Sequence, residues 1–189
     1  KCWGNNYYGQ LGNGTTTDSK IPVDVSGLAS GVSAVATGYK HSCALMQTGG
    51  VKCWGLNDDG QLGDGTNDNR DRPVNVLGLG SGVLALSLGD YYSCAVMANG
   101  GLKCWGSNQN GPLGDGTYID RNTPGDVTGL PFPVKSVGTG KRHTCVTLDG
   151  GYLMCWGANL TGQIGDGSYL GSKPSPLNYV KGFEPFFQL

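Results

Sequence analysis

The chain is poor in charge. Only 14% of its 189 residues are charged, and the formal net charge is −1. A balance this close to neutral gives no electrostatic footprint for nucleic acid or for an anionic membrane. Long apolar runs are missing as well, and none approaches the roughly 20 residues of a membrane-spanning helix. Apolar residues nowhere recur at a sustained helical spacing, which predicts almost no helix. Histidine is scarce. His41 and His143 are the two present, and neither has a nucleophile in a recognisable motif. No carboxylate pair stands in a setting that suits glycoside hydrolysis. An enzyme is therefore not expected. Close Cys-x-x-Cys spacings and His clusters are also absent, so neither metal nor cofactor is expected. Asn57-Asp58-Asp59-Gly60 with Asp64 resembles part of a calcium loop but lacks its closing Glu. Turn chemistry explains these residues better. There is no initiator Met and no signal-peptide pattern. The expectation is a segment or processed product of a longer protein.

What the chain has is repetition. Cys-Trp-Gly stands at positions 2–4, 53–55, 104–106 and 155–157, a step of 51 residues each time. All four Trp residues lie in this motif. Each copy continues alike, as in Gly60-Gln61-Leu62-Gly63-Asp64-Gly65-Thr66 and its counterparts from Gly9, Gly111 and Gly162. A fixed period near fifty marks one supersecondary unit copied along the chain. Glycine is abundant, at 35 residues, as tight turns and close packing of such units require.

Six of the seven Cys form pairs ten residues apart: Cys43 and Cys53, Cys94 and Cys104, Cys145 and Cys155. A Gly-Gly turn lies inside each pair, which is a hairpin signature. Hairpin flanks face each other at distances a disulfide can bridge. Disulfides and an oxidising compartment are expected, hence an extracellular or cell-surface location. Reduced, packed cysteines are the alternative. Cys2 has no partner within the segment. Asn13-Gly14-Thr15 and Asn159-Leu160-Thr161 are candidate glycosylation acceptors. Asn13 also aligns with Asp64, Asp115 and Asp166, where a turn role suffices.

Each repeat reads as four short strands, illustrated by Val32–Ala36, Ser42–Met46, Val51–Trp54 and a fourth beginning at Pro73. The other fourth strands begin at Pro22 and Pro124, with a weaker one over Pro174–Val180. A starting Pro suits an edge strand. The fold class is all-β, a β-propeller of four-stranded antiparallel blades forming a partial ring of about three and a half blades. The expected division is half a blade over residues 1–31, blades over 32–80, 83–130 and 134–183, and the first strand of a next blade over 184–189. Together these form one propeller domain. The Trp is expected to fill the core between blades, and the His to hydrogen-bond an adjacent loop.

The pattern Gly-x-x-His-Ser-Cys-Ala-Leu (Gly38 to Leu45), Val51 to Asn57, Gly60 to Thr66 and Pro73-Val74 resembles the regulator of chromosome condensation repeat. The resemblance covers nearly the whole chain. It implies a seven-bladed propeller with a central channel, of which this chain would form about half. A light-sensing branch of that family places Trp after the Gly; here Tyr39, Asp90 and Lys141 stand there. Cys-paired members look like secreted proteins that bind other proteins through loops on one face. The positions that vary while the frame stays constant are Tyr39-Lys40, Asp90-Tyr91 and Lys141-Arg142. Tyr39, Lys40, Tyr91, Lys141 and Arg142 are the candidate partner-binding residues, expected on one face near the channel. The partner is a protein or further copies of the chain. The alternative is a structural extracellular protein that polymerises through open blade edges.

Overall fold

The computed structural model describes residues 1–169 and 171–183. Within them the chain is all-β. Strands β1 (Cys2–Gly4) and β2 (Ser19–Val23) pair as a two-stranded sheet. Three four-stranded sheets follow. The first is β3 (Val32–Thr37), β4 (His41–Met46), β5 (Val51–Gly55) and β6 (Arg70–Asn75). The second is β7 (Val83–Leu88), β8 (Tyr92–Met97), β9 (Leu102–Gly106) and β10 (Arg121–Asp126). The third is β11 (Val134–Thr139), β12 (His143–Leu148), β13 (Leu153–Ala158) and β14 (Ser172–Lys173). Sequence order is spatial order in every sheet, and all neighbours are antiparallel. The expected strand over 184–189 lies outside the described residues.

The hairpin at the centre of each sheet follows from its turn. Gly49 and Gly100 adopt φ of 78° and 83°, a left-handed conformation that glycine reaches without a Cβ penalty. That turn sets the register, so Cys43 faces Cys53, Cys94 faces Cys104 and Cys145 faces Cys155. All three pairs are disulfide-bonded, with Cα separations of 4.1, 4.2 and 4.1 Å. Cys2 is free and half-buried, and burial pushes its thiol pKa up.

The fourth strands differ from expectation. They begin at Ser19, Arg70, Arg121 and Ser172, ahead of the prolines. Pro73 and Pro124 instead sit inside β6 and β10, where the register shifts. A strand with a free outer edge tolerates a residue without an N–H at such an irregularity. The fourth strand expected over Pro174–Val180 reduces to Ser172–Lys173 and a single bridge from Tyr179 to Met154.

The core lies between sheets. One cluster joins Cys43, Leu45, Val51 and Cys53 of the first sheet to Val83, Ala95 and Trp105 of the second. Another joins Cys94, Val96 and Leu102 to Val146, Leu148 and Trp156 of the third. Trp54, Trp105 and Trp156 are buried, and their indole N–H groups donate to the carbonyls of Gln10, Gln61 and Pro112 in the preceding repeat. The same carbonyls accept from Ser42, Ser93 and Thr144 hydroxyls. In each of these three repeats a long-loop carbonyl thus receives two donors from the next sheet. Gly63 permits this approach: a Cβ there would lie 2.7 Å from Trp105 Nε1. Trp3, by contrast, is 63% exposed.

His41 belongs to the same network. It is buried, with Nε2 3.0 Å from Ser93 Oγ. Ser93 Oγ donates to the Gln61 carbonyl, so His41 Nε2–H is the donor of the pair. The partner is a strand side chain of the next sheet, whereas the sequence suggested a loop. Burial lowers the His41 pKa from 6.5 to about 3. The unfolded chain therefore binds a proton near pH 6.5 that the folded chain refuses. The His41 contribution to stability is complete above that pH and is lost on acidification, by up to about 1.4 kcal/mol per pH unit. Urea midpoints measured from pH 7 to pH 5 should fall in the wild type. They should fall less in His41→Tyr, which copies the residue at Tyr92; equal slopes would contradict this. His143 is half-buried and also shifted downward by burial, so some slope should remain.

Candidate functional site

The turns 38–40, 89–91 and 140–142 join first to second strands at one end of three neighbouring sheets. Each opens with a glycine, Gly38, Gly89 or Gly140. The ring three residues on, of His41, Tyr92 or His143, occupies the space a Cβ would need. This is the physical content of the Gly-x-x-His pattern. The ring turns into the sheet interface, and the two residues between are left at the surface.

Those two positions meet across sheets. The Tyr39 and Tyr91 rings pack edge to face at 5.8 Å between centroids. The Lys40 ammonium lies 4.6 Å from the Tyr8 ring centre and 5.0 Å from that of Tyr39, within cation–π range. Tyr91, Lys141 and Arg142 line one small cavity of about 120 Å³, together with Asp59 and Asn110. Arg142 donates weakly to Asn110 Oδ1 at 3.4 Å. All five residues expected to form a surface are therefore connected within one patch.

The patch has members the sequence reading missed. Tyr8, Asp59 and Asn110 come from the long loops after β1, β5 and β9. They occupy one repeat position, three places before the Leu of Gly-x-Leu-Gly, and vary as the turn residues do. That variation was the signal available. Burial, with Asp120 and Asp58 nearby, raises the Asp59 carboxyl pKa. Lys40, Lys141 and Arg142 form none of the ion pairs found among the described residues. No group of acidic, His or Cys residues among the described residues could hold a metal ion.

Asn159, the second candidate glycosylation acceptor, has a structural place in its loop. It is fully buried, and its Nδ2 donates to the Ser168 carbonyl and hydroxyl at 3.1 Å each. Asn6, Asn57 and Asn108 occupy the same place in the other repeats and are equally buried. Asn57 accepts from the Leu62 N–H and donates to the Thr66 and Asp68 carbonyls. One amide thus closes each long loop, and the sequon at 159 coincides with that structural Asn. Asn13 is half-buried, and its Oδ1 accepts from the Thr15 N–H and hydroxyl.

The model of the regulator of chromosome condensation (RCC1) repeat matches three successive stretches, residues 2–45, 48–96 and 99–147. The chain belongs to the RCC1 repeat family. The human E3 ubiquitin-protein ligase HERC2 is 37% identical over 145 residues, covering 75% of this chain and 3% of that protein. The Arabidopsis thaliana ultraviolet-B receptor UVR8 is 32% identical over 168 residues, 87% of this chain and 38% of the receptor. Yeast RCC1 (Prp20), in its crystal structure bound to Kap60, superposes with a TM-score of 0.78 at 24% identity. That alignment covers 95% of this chain and 45% of Prp20. The RCC1 likeness establishes a β-propeller of which this chain supplies part of the ring, and the chain spans less than half of each of these relatives.

Proposed function

We propose that this RCC1-repeat chain is a non-enzymatic scaffold, outside the cell or at its surface, that binds a protein. The binding face is formed by Tyr8, Tyr39, Lys40, Tyr91, Lys141 and Arg142. One observation carries the reading: three variable positions of the repeat, in two different kinds of loop, converge on a single surface patch. The frame around them repeats unchanged. Tyr and Arg are enriched where protein interfaces concentrate their binding energy. Held rings and an ammonium already set between two of them leave less side-chain entropy to lose on binding. Prp20, which shares the fold, is a propeller with a bound protein partner, Kap60. The three disulfides support the oxidising compartment.

A second reading, assembly of copies through open sheet edges, is favoured by a different surface. A concavity of about 510 Å³ is lined by Cys2, Trp3, Leu11, Val25, Val35 and Trp54. Sedimentation separates the two readings, since assembly makes the size concentration-dependent.

The face is tested with a photoactivatable amino acid at position 39 or at position 132. Phe132 precedes β11 at the other end of the sheet and stacks on Tyr152 at 5.1 Å. In the source fluid or at the cell surface, position 39 should yield a discrete cross-linked protein and position 132 should not. Equal yields from both positions would refute the face.

A further inference from the structure

We infer that Asn13 is an N-glycan acceptor of this chain and that Asn159 is not. The inference rests on the extracellular reading. Its structural basis is a substitution that breaks the repeat at two coupled positions. In the other repeats an Asp holds the long loop with one oxygen and a cation with the other. Asp64 Oδ1 accepts from the Thr66 N–H and hydroxyl, while Oδ2 accepts from Arg70 Nε at 2.8 Å. Asp115 holds Arg121 in the same way, and Asp166 holds Lys173. In the first repeat Asn13 replaces the Asp, and Ser19 stands where Arg70 and Arg121 stand.

The consequence is local and specific. Asn13 Oδ1 keeps the whole loop-holding role, accepting from Thr15 N at 3.1 Å, Thr15 Oγ1 at 2.8 Å and Asn6 Nδ2 at 3.3 Å. Its Nδ2 takes the place of the oxygen that elsewhere meets a guanidinium. No long cation reaches it from Ser19. Among the described residues Nδ2 makes no hydrogen bond, and it lies on the side where the other repeats hold a cationic head group. It is also the atom to which an N-linked sugar is attached, and the sequon Thr15 is in place. A sugar on Nδ2 leaves every bond of the loop intact. At Asn159 it would displace both bonds to Ser168 inside a buried loop.

The modification needs a lipid-linked oligosaccharide diphosphate as donor. The Asn13 Nδ2–C1 bond forms and the C1–O bond to the diphosphate breaks. The lipid diphosphate departs with that electron pair, and the amide gives up one N–H proton.

The test is expression of the chain through a eukaryotic secretory pathway, with peptide mapping before and after amidase removal of N-glycans. The wild type should carry one glycan, on the peptide containing Asn13. Asn13→Asp, which restores the residue of the other repeats, should carry none and remain folded. Thr161→Ala, which removes the second sequon without touching Asn159, should keep the wild-type glycan. An Asn13 peptide without glycan, or a glycan that survives Asn13→Asp, overturns the inference. Alkylation mass in the same sample reports whether the three disulfides have formed, so a misfolded sample is told apart from a folded one that lacks the glycan; free thiols in the protein from its native source would instead overturn the extracellular reading on which the inference rests.

Discussion

Trp105→Ala is expected to destabilise the chain by about 3–5 kcal/mol, the range for removing a fully buried aromatic side chain. Trp105 is 0% exposed and sits at the junction of two sheets, in one cluster with Leu62, Val76, Leu79 and Val83. Its removal opens a cavity lined by two repeats and takes one of two donors from the Gln61 carbonyl. Trp105→Phe should cost less, because most of the apolar contact survives and the Ser93 hydroxyl still serves that carbonyl. Chemical denaturation of both variants gives the comparison. A loss below about 1 kcal/mol for the Ala variant would show that the Trp does not join the sheets.

Loss of the disulfides should be of similar size. Each is expected to contribute about 2–4 kcal/mol, chiefly by restricting the unfolded chain. The double variant Cys94→Ser, Cys104→Ser should lower the thermal midpoint markedly. Both cysteines are buried, at 0% and 1% exposure, so a reductant should attack the wild-type bond slowly below that midpoint. Unchanged melting of the double variant would mean that the hairpin is fixed by its turn and packing alone.

Much of this architecture is visible in the chain itself. The 51-residue step, the Gly-Gly turns and the ten-residue Cys spacing specify local geometry, and the hairpins and disulfides follow from local geometry. The Trp was legible for the same reason, since a large apolar residue repeated beside a close-packed glycine has to be covered. The starts of the fourth strands were not legible. Proline suggested a beginning, yet edge pairing with a register shift let the strands run past it. The buried Asn of Cys-Trp-Gly-x-Asn was not legible either. An amide that closes a loop through several hydrogen bonds looks in sequence like any polar turn residue. At position 159 it coincides with a glycosylation triplet, and its burial is a property of the loop and not of the triplet. The patch was half legible. The turn pairs stood out by their variation, but Tyr8, Asp59 and Asn110 reach them only through the packing of one repeat on the next.

The face claimed for binding is tested most directly by affinity, using the protein captured by the position-39 cross-linker. Tyr39→Ala and Tyr91→Ala should each weaken binding about 30-fold, as the loss of an interface anchor worth about 2 kcal/mol implies. Phe132→Ala, at the opposite end of the sheets, should leave affinity within about twofold. If the two Tyr variants bind as the wild type does while Phe132→Ala weakens the complex, the partner occupies the other face and the account is wrong.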